Sequence, residues 1–212
     1  MMGCPKNWGM SKETRSLEKR RKIDNFACEI FVKRRLLFYE RFVIVVFISL
    51  QKSTAMIHVE HYNPTYKEDF IRLNREWIER WFEIESSDLK TFETVDDIVK
   101  NGGQIFLAID DENRCVGCCA LIHHQESNRY ELAKMAVSET CQGQGVGKKL
   151  MESLISYADT IGVKSIFLEG NTKLEASIHL YQSFGFQQLP IIGSRYDRCN
   201  ILMEKSLDEK SI

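Results

Sequence analysis

No stretch of this 212-residue sequence is long and apolar enough to cross a bilayer. Its most hydrophobic run, FVIVVFISL at residues 42–50, has nine residues where a span needs about 20, and Glu40-Arg41 blocks extension backwards. Ser53-Thr54-Ala55 could serve as the small-residue exit of a signal peptide, but the stretch ahead of the apolar run is far longer than a normal n-region. Cys115-x-x-Cys118, followed at once by Cys119, has no second pair of similar spacing among the seven cysteines. That excludes the common two-pair zinc site. The triplet lies within an apolar run and not at a strand-to-helix turn, so a dithiol redox motif does not fit either. Ordinary buried thiols are expected, a usage that suits a reducing cytosol. Two phosphate loops are absent. A dinucleotide fingerprint starting at Gly143 would need glycine where Lys148 stands, and a P-loop would need Ser or Thr where Lys149 stands. There is no internal repeat and no low-complexity segment.

What is present is a globular composition, 43% hydrophobic and 28% charged. The net charge of −1 hides a division. Residues 1–55 hold 12 Lys+Arg against 5 Asp+Glu, a net of +7, and residues 56–212 a net of −8. The basic runs Lys19-Arg20-Arg21-Lys22 and Lys33-Arg34-Arg35 could attract nucleic acid or anionic lipid. No aromatic platform or base-reading motif accompanies them, so a solvated tail is the alternative and no clear nucleic-acid or membrane partner is expected. Residues 1–55 are expected to be an extension outside the functional fold, with Met56 a candidate start. Residues 56–212 read as one domain.

Within that domain residues 57–62 alternate as a first strand, and Asn63-Pro64-Thr65 forms a turn. Residues 66–82 have helical spacing, with Phe70, Leu73, Trp77 and Trp81 on one stripe, both tryptophans reading as core. Residues 83–88 look acidic and irregular, and residues 94–100 form a short helix stopped by Asn101-Gly102-Gly103. Residues 104–109 and 114–123 make a hairpin across Asp110-Asp111-Glu112-Asn113. Residues 130–137, YELAKMAV, carry apolar residues on both faces as a buried strand should. Residues 164–168 form a further strand and 174–184 a helix ended by Gly185, and two strands, 186–189 and 199–204, flank a long loop.

The informative stretch follows the buried strand: a short polar turn, then Gln142-Gly143-Gln144-Gly145-Val146-Gly147 opening a helix with Val146, Leu150, Met151, Leu154, Ile155 and Ala158 on one stripe. Glycines at alternate positions of a helix entry disfavour the helix unless the backbone must approach a ligand closely. The first N–H groups of a helix lack internal partners and carry its positive dipole end, so such a loop is either a phosphate site or a flexible turn. Gln142, Gly145 and Gly147 satisfy Q/R-x-x-G-x-G/A, and Leu180-Tyr181-Gln182-Ser183-Phe184-Gly185-Phe186 satisfies LY-x-x-x-GF. On these two motifs and the element order, residues 56–207 resemble the GNAT superfamily of acyl-CoA-dependent N-acetyltransferases.

The resemblance implies an α/β (α+β mixed) fold, a mixed central sheet of about six to seven strands flanked by helices. It implies acetyl-CoA as cosubstrate without a metal, and acetyl transfer to a small-molecule or peptide amine by direct attack in a ternary complex. A non-catalytic acyl-CoA-binding module on the same fold is the alternative. The loop amides of Gln142, Gly143, Gln144, Gly145, Val146, Gly147 and Lys148 would hold the coenzyme pyrophosphate. The main chain of Met135, Ala136 and Val137 would bond the pantetheine arm in a gap between the fourth and fifth strands. Glu131 would be the general base or, alternatively, a solvent-facing or ammonium-binding carboxylate. Tyr181 would protonate the leaving thiolate or simply pack its helix. Asn171 would bond the pantetheine or cap the next helix; the asparagine that relatives place seven residues before the tyrosine is Leu174 here. His123 and His124 are alternate bases, of which at most one can face the site. The region 83–97 would border the acceptor pocket, and its Glu83, Glu85, Asp88, Glu93, Asp96 and Asp97 against a single Lys90 favour a cationic acceptor or merely form a solvated face. A homodimer and a cytoplasmic location are expected.

Overall fold

The structure, a computed structural model, describes residues 56–191 and 193–208. The expected basic extension at residues 1–55 lies outside the described residues. The core is built on strands that are apolar on both faces over much of their length. In β2, Gln104–Ile109, side chains alternate between two separate clusters. Ile105, Leu107 and Ile109 point to one face with Phe70 and Leu73, and Phe106 and Ala108 to the other with Leu150 and Leu154. A strand that is apolar on both faces must be covered on both, and helices supply the cover.

The other strands are β1 His58–His61, β3 Cys115–His124, β4 Arg129–Val137, β5 Ser165–Gly170, β6 Gln187–Leu189 and β7 Ile201–Ser206. They join β2 in one sheet of order β1-β2-β3-β4-β5-β7-β6. All neighbours are antiparallel except β4 and β5. Helices α1, Lys67–Trp81, and α3, Val95–Lys100, cover one face, and α4, Val146–Thr160, the other. A 3-10 turn, Pro64–Tyr66, leads into α1, started by the Asn63 side chain accepting from the Thr65 N–H at 3.0 Å. Helix α5, Glu175–Ser183, follows β5.

Two departures from the sequence expectation bear on the site. Residues 83–88 are not irregular throughout. The Glu85 and Asp88 side chains form a capping box that starts α2, Ser86–Glu93. The eight-residue helix has too little apolar periodicity to be seen by spacing alone. The Trp81 end of the α1 stripe is not core. Phe70 and Leu73 are buried, whereas Trp81 is 38% exposed under the Lys173 ammonium.

The parallel ladder between β4 and β5 consists of Tyr130↔Ile166 and Glu131↔Phe167. Beyond it β4 stays on β3 and β5 turns to β7, so a gap opens at Leu132. On the β3 side, the register slips between Cys118 and Ala120, which face Ala136 and Ala133. The extra residue is a β-bulge containing Lys134, held at φ +52°. A lysine is strained there, and a buried ion cluster holds it. Its Nζ donates to Asp88 Oδ1 at 2.6 Å and to the Tyr196 hydroxyl at 3.1 Å. Arg198 grips the same carboxylate with both nitrogens, at 2.7 and 2.9 Å, and reaches Glu85 at 3.0 Å.

Burial pushes the Asp88 carboxyl up, but Arg198, Lys134 and the Glu85 N–H pull it down further, leaving it below the usual carboxylate range. A carboxyl with a depressed folded pKa stabilises the fold above its unfolded value, and that contribution fades from about pH 5 downward. D88N strands Lys134 in the interior and leaves Arg198 with Glu85 alone, and should lower the unfolding free energy at pH 7 by about 3–5 kcal/mol. Urea melts at pH 7 and pH 3.5 check this: the gap from wild type should narrow at the lower pH, and an equal gap at both would show that Asp88 is not the titrating group.

Candidate active site

The gap between β4 and β5 leads into two adjoining hollows. One is a chamber of about 90 Å³ whose walls include Asn74, Trp77, Glu131, Lys134, Tyr181 and Arg198. The other is a groove of about 600 Å³ running over Val137, Gln142, Gly143, Gly145, Val146, Gly147 and Lys148 to the start of α5. Trp77, Met135 and Leu174 line both. Trp77 thus packs against the core and also walls the site.

The groove's floor is the glycine loop. Gly143 and Gly145 sit at φ +74° and +79°, where a side chain would be strained, yet an added Cβ would meet nothing within 4 Å. Backbone shape requires glycine here, and the space above is open. Gly147 is crowded instead: an added Cβ would stand 3.3 Å from Leu180 Cδ2 and 3.6 Å from Met135 Cε. The first bond of α4 runs from the Lys149 N–H to the Gly145 carbonyl at 3.1 Å. The N–H groups of Val146, Gly147 and Lys148 therefore face outward at the positive end of a 15-residue helix. Open space, free N–H groups and a cationic Lys148 fit an anion such as the pyrophosphate of coenzyme A. Gln142 Nε2 bonds the Val137 carbonyl at 3.2 Å, tying loop to strand. Gln144 bonds the Thr140 carbonyl at 2.8 Å and does not line the groove, and Ala136 is buried beneath it.

In the chamber, Glu131 is 1% exposed. The His124 ring, Nε2 at 2.8 Å, and the Arg195 guanidinium both meet it at Oε2. His123 points the other way, stacked on Tyr130 at 4.5 Å, so only His124 reaches the site. Tyr181, half-buried on α5, lines the chamber, and burial pushes its phenol up to about 12. Asn171 also lines it, but its Nδ2 donates to the Arg198 carbonyl at 2.6 Å and its Oδ1 accepts from the Lys173 N–H at 2.8 Å. It builds the turn before α5 and is not the cap, a position held by Leu174. Burial raises the thiols of Cys115, Cys118 and Cys119, which leaves them unreactive as expected. Among the described residues no cluster of three or more His, Cys, Asp or Glu could hold a metal.

Part of the acidic stretch is paired: Asp88 and Glu85 with Lys134 and Arg198, and, at the surface, Asp96 with Lys67 and Asp97 with Lys100. Glu83 and Glu93 are exposed. Sequence reading missed Lys134, Arg195, Tyr196 and Arg198. The last three belong to the long loop between β6 and β7, which has no periodicity to read. A lysine inside a buried strand was the one available signal for Lys134.

The model of the acetyltransferase (GNAT) family matches residues 68–186 of this chain. An uncharacterized N-acetyltransferase of Schizosaccharomyces pombe is 27% identical over 132 residues, 58% of this chain and 78% of that one. The L-amino acid N-acyltransferase MnaT of Escherichia coli is 38% identical over 76 residues, 33% of this chain and 44% of that one. A GNAT-family acetyltransferase from Staphylococcus aureus superposes with a TM-score of 0.64 at 26% identity, covering 71% of this chain and 99% of that one.

G145D places a carboxylate in the open space above the loop. Aspartate tolerates left-handed φ better than most residues, so thermal stability should change little. Acetyl-CoA affinity, by calorimetry, should fall at least about 100-fold through charge repulsion at the helix end. Retained affinity would remove the loop from the anion site.

Proposed function

This chain belongs to the GNAT acetyltransferase family and moves an acetyl group from acetyl-CoA to an amine; from that premise we propose that it does so by direct attack in a ternary complex, with Glu131 as base and Tyr181 beside the departing sulfur. The observation that carries this is the gap opening immediately after Glu131, with the glycine loop at one end and the chamber at the other. The loop amides of Gly143, Gly145, Val146, Gly147 and Lys148 hold the pyrophosphate. The gap-facing main chain of Met135 and Val137 takes the pantetheine as a missing strand would, and a main-chain N–H of the bulged strand polarises the thioester carbonyl.

Glu131 accepts a proton from the bound ammonium. Its Oε2 is held by His124 and Arg195, which steadies the carboxylate for that role. Tyr181 remains protonated well beyond neutral pH because burial raises it to about 12. Against an ordinary thiol near 8.5, outright proton transfer from such a phenol is uphill by about 3.5 units. Its contribution is therefore a hydrogen bond to the developing thiolate as the carbon–sulfur bond breaks, the proton on sulfur coming from the amine. Asn171 shapes the chamber wall through its turn.

The chamber has a volume of about 90 Å³, room for several waters. It admits the head of a small acceptor. Beside Glu131 the Arg195 side chain is 53% exposed and keeps donors for a carboxylate, which suits an amine that carries one, such as an amino acid or peptide end. The similarity to an L-amino acid N-acyltransferase supports the same class. We place the enzyme in a reducing cytosol, in keeping with its buried free thiols at Cys115, Cys118 and Cys119.

The test is acetyl-CoA binding by calorimetry on the full chain, then free-thiol release over amino acids, peptides and polyamines. Binding with release on amino acids supports this reading, release only with polyamines overturns the acceptor class, and binding without release on any amine favours a non-catalytic module. Y181F should lower kcat about 10- to 100-fold with acetyl-CoA affinity unchanged. Tyr181 should also add no alkaline limb to the wild-type profile below about pH 11. Unchanged kcat in Y181F would remove the tyrosine from the reaction.

A further inference from the structure

Asn74 stands in the middle of α1 on its buried stripe, 2% exposed between Leu73 and Ile78. Asparagine is a poor choice for a buried helix interior, because an unsatisfied amide is costly there. Half of this amide is accounted for. Nδ2 donates to the Phe70 carbonyl at 2.9 Å and to Cys118 Sγ at 3.3 Å. A carbonyl can only accept, so these contacts fix which end of the amide is nitrogen. Oδ1 then faces away, and no donor among the described residues reaches it. It is not sealed in the core either, since Ser87 Oγ is the one buried side-chain polar atom without a partner among the described residues. Asn74 lines the chamber with Glu131. Its neighbour Cys118 contacts the Lys134 carbonyl at 3.6 Å, which sets the amide beside the β4 bulge.

We infer that Asn74 Oδ1 is a second acceptor for the attacking amine, orienting its nitrogen toward the acetyl carbon. This rests on the chamber being the acceptor site. Of the ammonium's three protons, one passes to Glu131 and frees the lone pair. The nitrogen–carbon bond then forms, the carbon–sulfur bond breaks, and a second proton ends on the sulfur. The third stays on the amide nitrogen of the product. Asn74 accepts a hydrogen bond from this retained N–H. Holding this N–H on Asn74 restricts rotation about the substrate's carbon–nitrogen bond, which narrows the arc through which the freed lone pair can meet the acetyl carbon. The inferred role also accounts for a polar residue where the helix stripe otherwise calls for leucine.

N74L keeps the branched, four-heavy-atom shape of the side chain and removes the acceptor. With a primary amine its kcat/KM should fall about 10- to 100-fold, while acetyl-CoA affinity and melting temperature stay near wild type. Unchanged kcat/KM in a folded N74L would overturn the inference, and so would a matching loss of acetyl-CoA affinity, which would assign Oδ1 to the coenzyme. Wild type offers a second measurement that needs no variant. An N-methyl secondary amine has no proton to retain, so it should be acetylated far more slowly than its primary counterpart; equal rates would also overturn the inference. Absence of acetyl-CoA binding by wild type itself would be a different failure, that of the enzyme reading on which this one stands.

Discussion

The site depends on a parallel strand pair that stops early. A buried backbone must pair its N–H and C=O groups. Between β4 and β5 that pairing covers Tyr130 and Glu131 opposite Ile166 and Phe167, after which the strands part. On their far edges β4 follows β3 across the bulge and β5 follows β7 from Ser165 to Gly170, and the facing edges diverge. The edge left open on β4 can accept an extended, amide-bearing arm. The same divergence places Glu131, the last paired residue, at the head of the opening.

The bulge that helps to bend β4 away puts Lys134 into a left-handed conformation that no local preference supports. Asp88 pulls it there from α2, and Arg198 closes the cluster from the β6–β7 loop. Three segments distant in sequence are thereby tied to the chamber wall. Breaking such a buried cluster by removing one member is costly, because the remaining charges stay in the interior. Of the carboxylates that look like a cation-binding surface in the sequence, Glu85 and Asp88 are structural anions. Arg195 keeps a half-exposed guanidinium beside Glu131.

Asn74, Glu131 and Tyr181 reach the chamber from a helix, a strand and another helix. Each is oriented by a different neighbour: Asn74 by its own helix carbonyl and Cys118, Glu131 by His124 and Arg195, and Tyr181 by packing near Phe186. Rigid elements carry the polar groups, and the loops mainly fill the gaps between them. Only the β6–β7 loop contributes charge directly.

The parts legible in the sequence are those where one residue type has one local use. Alternation marked β1, apolar content on both faces marked β4, and the glycines at 143, 145 and 147 marked a loop opening a helix. Gln142, Gly145 and Gly147 with Tyr181 carried the family, because short-range spacing sets a loop and the helix following it. Tertiary structure alone decided which charges meet. Glu85 and Asp88 lie more than a hundred residues from Arg198, and nothing local distinguishes a carboxylate that will be buried in an ion pair from one left in water. The direction of Asn74 Oδ1 was decided the same way, since an amide turns toward whatever donors and acceptors the folded chain brings within 3 or so Å of it.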